Sequence, residues 1–308
     1  MNKYNGLITA IYVLSAVLIL WLFLFSANPG EHDRTYEDSF RDNYKIYAVP
    51  HPDDLEFAGE DVPLENFDIM ERFDRELLVN TYWQSQTMLF FKRANKWFPV
   101  IEPILESNEI PNDFKYLAII ESGLMNVVSP AGARGFWQFL APTGREFGLE
   151  ISSDVDERYH VEKATEAACK YLHDAYEEFG SWTLAAAAFN MGKSALKRQM
   201  ANQKVESYYD LRLNEETARF VFRLLAVKHI FSNPQEMGFY FREKDLYQPL
   251  EYDVIEVDSA INDLPQFALD IGINYNLLRE YNPWLRKYSL SNENNKTYKI
   301  KIPEKLKE

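Results

Sequence analysis

Hydrophobic spacing divides the chain into four stretches. The first is an unbroken apolar run, residues 7–26, with no charge in it. Its length of about 20 residues predicts one membrane-spanning helix. Lys3 and the free amine precede it and "EHDRTYED" follows, so the positive-inside rule puts the N-terminus in the cytoplasm and the bulk of the chain outside. The run exceeds a signal-peptide core, and Phe25 stands where cleavage after Ala27 would want a small residue. An uncleaved anchor over residues 1–27 is the expectation, with a cleaved signal as the alternative. No Cys follows the run, which argues against a lipoprotein anchor.

The second stretch, 28–66, shows no period. It is acidic and carries Pro29, Pro50, Pro52 and Pro63. It reads as a linker; an extension packed on the next domain is equally open. The third stretch, 67–240, is helical in period. Met70, Phe73, Leu77 and Leu78 recur at spacings of three and four, and Pro99 and Pro103 mark breaks or helix starts. "PNDFKYLAIIESG" predicts a short helix with Asn112 as N-cap and Gly123 as its stop. Further helices are predicted in "VEKATEAACKYLHDAYEEFG", in "SWTLAAAAFNMG" with Ser181 as cap, and from Asn214 to near Ser232. No alternating strand pattern occurs there. The fourth stretch, 250–304, has alternating "YDVIEVDSA" and "NKTYKIKIP" around two short helical segments, a β-α-α-β unit. The fold class is mainly α with a small mixed unit at the end.

Composition narrows the function. The net charge of -14 argues against nucleic acid, whose phosphates need a basic face. The single Cys169 allows no internal disulfide. The five His are scattered with no H-E-x-x-H, so no metal and no cofactor are expected.

One charge breaks the helical pattern. Phe114, Leu117, Ala118 and Glu121 fall at i, i+3, i+4 and i+7, so Glu121 shares the core face of its helix. Desolvation penalises the ionised carboxyl and raises its pKa, the condition of a general acid at neutral pH. A structural Glu paired with Arg fits the same position. The loop that follows holds Ser129, Pro130, Gly132 and Gly135, suited to close backbone approach, and Gln138 between Trp137 and Phe139. Amide and aromatic groups together suit a sugar; a helix start capped by Gln138 is the alternative. Asp154, Asp156 and Arg158 read as loop and salt-bridge residues, and no second catalytic acid is assigned among Glu146, Glu150, Asp154 and Asp156.

The block "ESGLMNVVSPAGARGFWQFLAPTGREFGL", followed in order by "AAFNMG" and "ETARF", resembles the lytic transglycosylase domain of the lysozyme-like superfamily. The likeness runs from about Glu102 to Gly238. "GFWQF" and the C-terminal unit resemble the membrane-bound branch, whose members often end in LysM modules. The resemblance implies a lysozyme-like helical fold. It also implies cleavage of the β-1,4 bond between N-acetylmuramic acid and N-acetylglucosamine in peptidoglycan, closing a 1,6-anhydro ring. Position by position, it implies Glu121 as the catalytic acid, then base. Ser129, Gln138, Phe189, Asn190 and Glu216 would be substrate-binding residues. The family usually has Tyr where this chain has Phe189 and Phe220, so two hydroxyls are missing. The C-terminal unit resembles LysM with "DSAINDL" replacing the usual G-D-T-L turn. A structural role for it is as open as glycan binding. Two alternatives stand beside the transglycosylase: a muramidase of the same fold that adds water, and a non-catalytic peptidoglycan-binding scaffold.

Overall fold

The computed structural model describes residues 34–38, 47–293 and 295–304. The expected membrane anchor at 7–26 lies outside the described residues, and among those described no helix is long and apolar enough to cross a membrane. The chain divides after Ala48, and a second unit runs from Val49 onward.

A two-stranded hairpin comes first, β1 (Glu56–Phe57) paired antiparallel with β2 (Glu60–Asp61). Residues 49–66 do not behave as a free linker. Val49, Leu55, Phe57, Val62 and Leu64 are buried in the main core. Phe57 meets Phe114 edge to face at 5.2 Å. The acidic residues around these apolar positions concealed them. Glu60 also reaches the start of a later helix, where its carboxylate accepts from the Trp182 and Thr183 amides and from the Ser181 and Thr183 hydroxyls. A carboxylate at a helix N-terminus satisfies orphan amides and opposes the dipole.

Helix α1 (Phe67–Tyr82) and helix α2 (Gln84–Ser107) follow, meeting at Trp83. Pro99 and Pro103 lie inside α2, not at its ends. Both are on its exposed side. The carbonyls of Asn95 and Pro99, which lose their i+4 donors, therefore belong to a helix face that water reaches. Residues 112–114 form a 3-10 turn and Asn112 makes no side-chain cap; helix α3 (Lys115–Ser122) continues from it and stops at Gly123, φ 63°. Helix α4 (Ala141–Glu146) is short. Helix α5 (Val161–Phe179) ends at Gly180 and helix α6 (Trp182–Met191) is capped by Ser181, which accepts from the Leu184 amide. Helix α7 (Lys193–Gln203), polar and with Leu196 alone buried, had no apolar signature in the sequence. Helix α8 (Glu215–Ser232) is capped by Asn214.

Helix α8 is the axis of the helical part. Val221, Phe222, Leu224, Leu225, Ala226 and Ile230 are fully enclosed, apolar around most of its circumference as a central helix must be. It packs on α1, α3 and α6. Ala185 to Ala188 on α6 are all buried and let neighbouring backbones approach closely.

At the C-terminus β3 (Tyr252–Val257) and β4 (Tyr298–Pro303) pair antiparallel, Ile255 opposite Ile300, with α9 (Leu264–Asp270) and α10 (Tyr275–Tyr281) between them in sequence. This matches the β-α-α-β expectation. Its small core includes Val155 and Tyr159 from the helical part. The Asp156 amide donates to Trp284 O at 2.9 Å and the Arg286 amide to Asp154 O at 2.7 Å. Three acid–lysine pairs surround this seam: Asp154–Lys287 at 2.9 Å, Glu150–Lys296 at 2.7 Å, and Glu162–Lys301.

Candidate active site

Glu121 occupies the last turn of α3, on the side packed against α8. The side chain keeps some solvent access. Its carboxyl is nonetheless surrounded by protein, and burial is the first reason its pKa rises to about 8. The negative charge of Glu216 pushes the same way and Arg223 opposes both. Near neutral pH the group is mostly protonated, the state of a proton donor.

The loop after α3 is held without regular structure. Ser122 Oγ donates to Phe136 O at 2.9 Å, tying the end of α3 to the loop's far side. The Ser129 hydroxyl accepts from the Ala133 amide at 3.0 Å and closes a tight turn. Gly135, φ 78°, passes so near Arg158 that an added Cβ would lie 1.8 Å from its carbonyl oxygen. Arg158 is itself clamped by Asp156 at 2.8 and 2.7 Å and donates to Phe139 O at 3.2 Å. Asp154 and Asp156 are thus salt-bridge residues, and Asp154 is held well below the usual carboxylate range, first by Lys287 and then by Ser291 and Ser153.

Gln138 caps no helix. It sits at φ 49° and its amide nitrogen donates to Gly135 O at 2.7 Å and Val127 O at 3.2 Å. The aromatics beside it do not offer their faces to a sugar. Trp137 and Phe139 are buried, and Trp137 Nε1 donates to Thr165 Oγ1 at 2.9 Å. Phe189 packs on both and on Tyr171, ring centroids 5.1–6.2 Å apart. Asn190 Oδ1 accepts from Thr217 Oγ1 at 2.9 Å, joining the end of α6 to the start of α8. Glu216 is exposed, and Phe220 is buried.

The structure therefore draws Glu121 and Glu216 into one electrostatic group and links Asn190 to the residue after Glu216. Ser129, Gln138 and Phe189 spend their visible contacts on shaping the loop and its aromatic support. Sequence reasoning missed a third acid. Glu76 on α1 is 1% exposed and pairs with Arg219 Nε at 2.6 Å and Arg223 Nε at 3.7 Å. Its signal was the same as that of Glu121: Ile69, Phe73, Glu76 and Asn80 lie on one helix face. A cavity of about 1070 Å³ opens elsewhere, between residues 51–65, the start of α6 and residues 206–209, and includes none of these groups.

Residues 99–211 match the family model described as the transglycosylase SLT domain. The match holds Glu121, Ser129, Gln138, Phe189 and Asn190 and stops before Glu216. Residues 253–306 match the soluble lytic transglycosylase C-terminal LysM-like domain. Membrane-bound lytic murein transglycosylase D of Escherichia coli (strain K12) is 27% identical over 251 residues, 79% of this chain and 54% of that protein. A putative tributyltin chloride resistance protein of Alteromonas sp. (strain M-1) is 28% identical over 129 residues, 41% of this chain and 62% of that one. The chain thus spans little more than half the length of these curated relatives. Among solved structures, an inactive mutant of lytic transglycosylase Slt from Pseudomonas aeruginosa aligns over 50% of this chain and 26% of its own, at 15% identity and TM-score 0.37.

Proposed function

We propose that the SLT domain is a lytic transglycosylase acting on peptidoglycan, with Glu121 as acid and then base. The observation that carries the reading is a carboxyl on α3 enclosed by protein, its pKa raised to about 8, beside a loop locked in shape. Glu121 gives its proton to the N-acetylglucosamine oxygen as the bond to N-acetylmuramic acid C1 breaks. The carboxylate so formed takes the proton of the muramic acid C6 hydroxyl. O6 then attacks C1 and closes the 1,6-anhydro ring. The nucleophile is already part of the substrate, so its attack needs neither a bound water nor a second carboxylate. Glu216 and Asn190 would contact the glycan around this point, and Ser129, Gln138 and Phe189 would preserve the shape of its wall. The C-terminal LysM-like unit would bind glycan as part of the same compact unit. The N-terminal apolar run would anchor the chain with this part on the extracytoplasmic side, in keeping with the name of the Escherichia coli relative.

Glu216 favours one competing reading. A second, exposed carboxylate close enough to perturb Glu121 is what a water-adding muramidase would need. Mass spectrometry of muropeptides released by the detergent-solubilised full chain separates the two. Anhydro ends, lost in Glu121→Gln, support the transglycosylase. Reducing ends mean hydrolysis. No products, with glycan still retained, mean a binding scaffold.

A further inference from the structure

Helix α8 presents Glu216, Arg219, Phe220 and Arg223 at i, i+3, i+4 and i+7, one face of one helix. The same helix packs on α1, which carries Glu76, and on α3, which carries Glu121. Arg223 is shared: it pairs with Glu76, and its charge reaches Glu121. The contacts go to Glu76: Arg219 Nε at 2.6 Å and Nη2 at 3.4 Å, and Arg223 Nε at 3.7 Å. Glu76 is enclosed, while Arg219 and Arg223 stay partly exposed.

We infer that Glu76 is a positioning residue for Glu121: by holding Arg223 from the α1 side, it keeps that charge from drawing the proton off Glu121. The inference rests on Glu121 acting as the proton donor. Arg223 acts on Glu121 in the direction of ionisation, so the cation is near enough to matter. An opposite charge a few ångströms away favours the ionised form. A carboxylate behind the guanidinium cancels much of that field. Charged groups on the neighbouring elements have partners of their own. On α2, Arg93 donates to Gly123 O at 3.1 Å and Glu102 takes Lys115 at 2.7 Å. In the 3-10 turn before α3, Asp113 takes Lys228 of α8 at 2.6 Å. Glu215 meets Arg219 and Arg75 only at 3.5 Å, from an exposed position.

The test is a pair of variants with opposite expected signs, Glu76→Gln and Arg223→Gln, made in the full chain. The Glu121 carboxyl is titrated by ¹³C NMR, assigned against Glu121→Gln, and the pH profile of cleavage is recorded in parallel. Glu76→Gln is expected to lower the Glu121 midpoint and the alkaline limit of activity by roughly one pH unit, and Arg223→Gln to raise both. At pH 7.5 kcat of Glu76→Gln then falls about threefold with KM held, as the protonated fraction does. Should Glu76→Gln not fold, Glu76→Asp replaces it, with the same downward movement expected as the shortened carboxylate withdraws from Arg223. Midpoints that stay in place, or move the same way in both variants, overturn the inference. A parent chain that cleaves nothing defeats the functional reading alone, because the NMR midpoints still report the Glu76 effect.

Discussion

Thr217 donates its hydroxyl to Asn190 Oδ1 at 2.9 Å and also accepts from Asn214 Nδ2 at 3.2 Å. One buried side chain thereby couples the "AAFNMG" turn at the end of α6 to the "ETARF" block that opens α8. Thr217→Val keeps the volume and removes the hydroxyl. Leaving Asn190 unpaired is expected to cost about 1–2 kcal/mol, read by denaturant unfolding. Glycan cleavage should fall through kcat and KM together as Asn190 loses its orientation. An unchanged enzyme would mean that Asn190 is placed by its own helix.

Glu121→Gln should abolish cleavage and stabilise the fold. The carboxyl is a weaker acid when folded, about 8, than in an unfolded chain. Its ionisation cost is therefore absent below about pH 4 and grows as the pH rises toward the folded value. At pH 7 the variant should gain roughly 1–3 kcal/mol over the parent, and nothing at pH 4. Equal gains at both pH values would point to packing and away from charge.

The seam to the C-terminal unit should loosen in acid before the helical core does. Burial pushes Glu162 up, but His160 and Lys301 outweigh it and hold it at about 2; Asp154 is also depressed. Both are stronger acids when folded, so their contribution is full above the unfolded range near about pH 4 and is lost as the pH falls through the folded values. Limited acid proteolysis should release the unit beginning near Tyr252 between about pH 4 and 2, and Lys301→Ala should release it at a higher pH. Simultaneous loss of both cores in the parent would rule out a separate acid response.

Gly135→Ala should be severe. The position combines φ 78° with a Cβ that would overlap Arg158 O at 1.8 Å, and neither neighbour is a flexible tip. A loss above about 3 kcal/mol is expected by thermal melting, with the Arg158–Asp156 clamp displaced. Gly132→Ala, which meets nothing within 4 Å, should cost far less despite φ 83°.

Much of the architecture was legible because burial in helices leaves a periodic trace. The runs ending at Gly123, Gly180 and Gly192, the cap Ser181, the helix start at Asn214 and the final β-α-α-β unit could all be placed from local spacing. Glu121 stood out by the same rule, a charge on an apolar face. What local spacing could not reveal is how charges from distant segments meet. Pro99 and Pro103 looked like breaks, and only the solvent on their side of α2 makes them tolerable within it. Trp137 and Phe139 looked like sugar platforms, and packing with Phe189 and Tyr171 turns them inward. The acidic stretch before α1 left a linker and a packed extension equally open, and the hairpin that plants Phe57 on Phe114, with its partner 57 residues along the chain, makes residues 49–66 the packed extension. By itself the sequence determined most of the helices, several of their ends and an acid set among apolar neighbours. Tertiary structure alone decided how far its pKa rises, because burial encloses the carboxyl and the charges of Glu216 and Arg223 reach it from another helix, and Coulomb forces follow distance in space, not order along the chain.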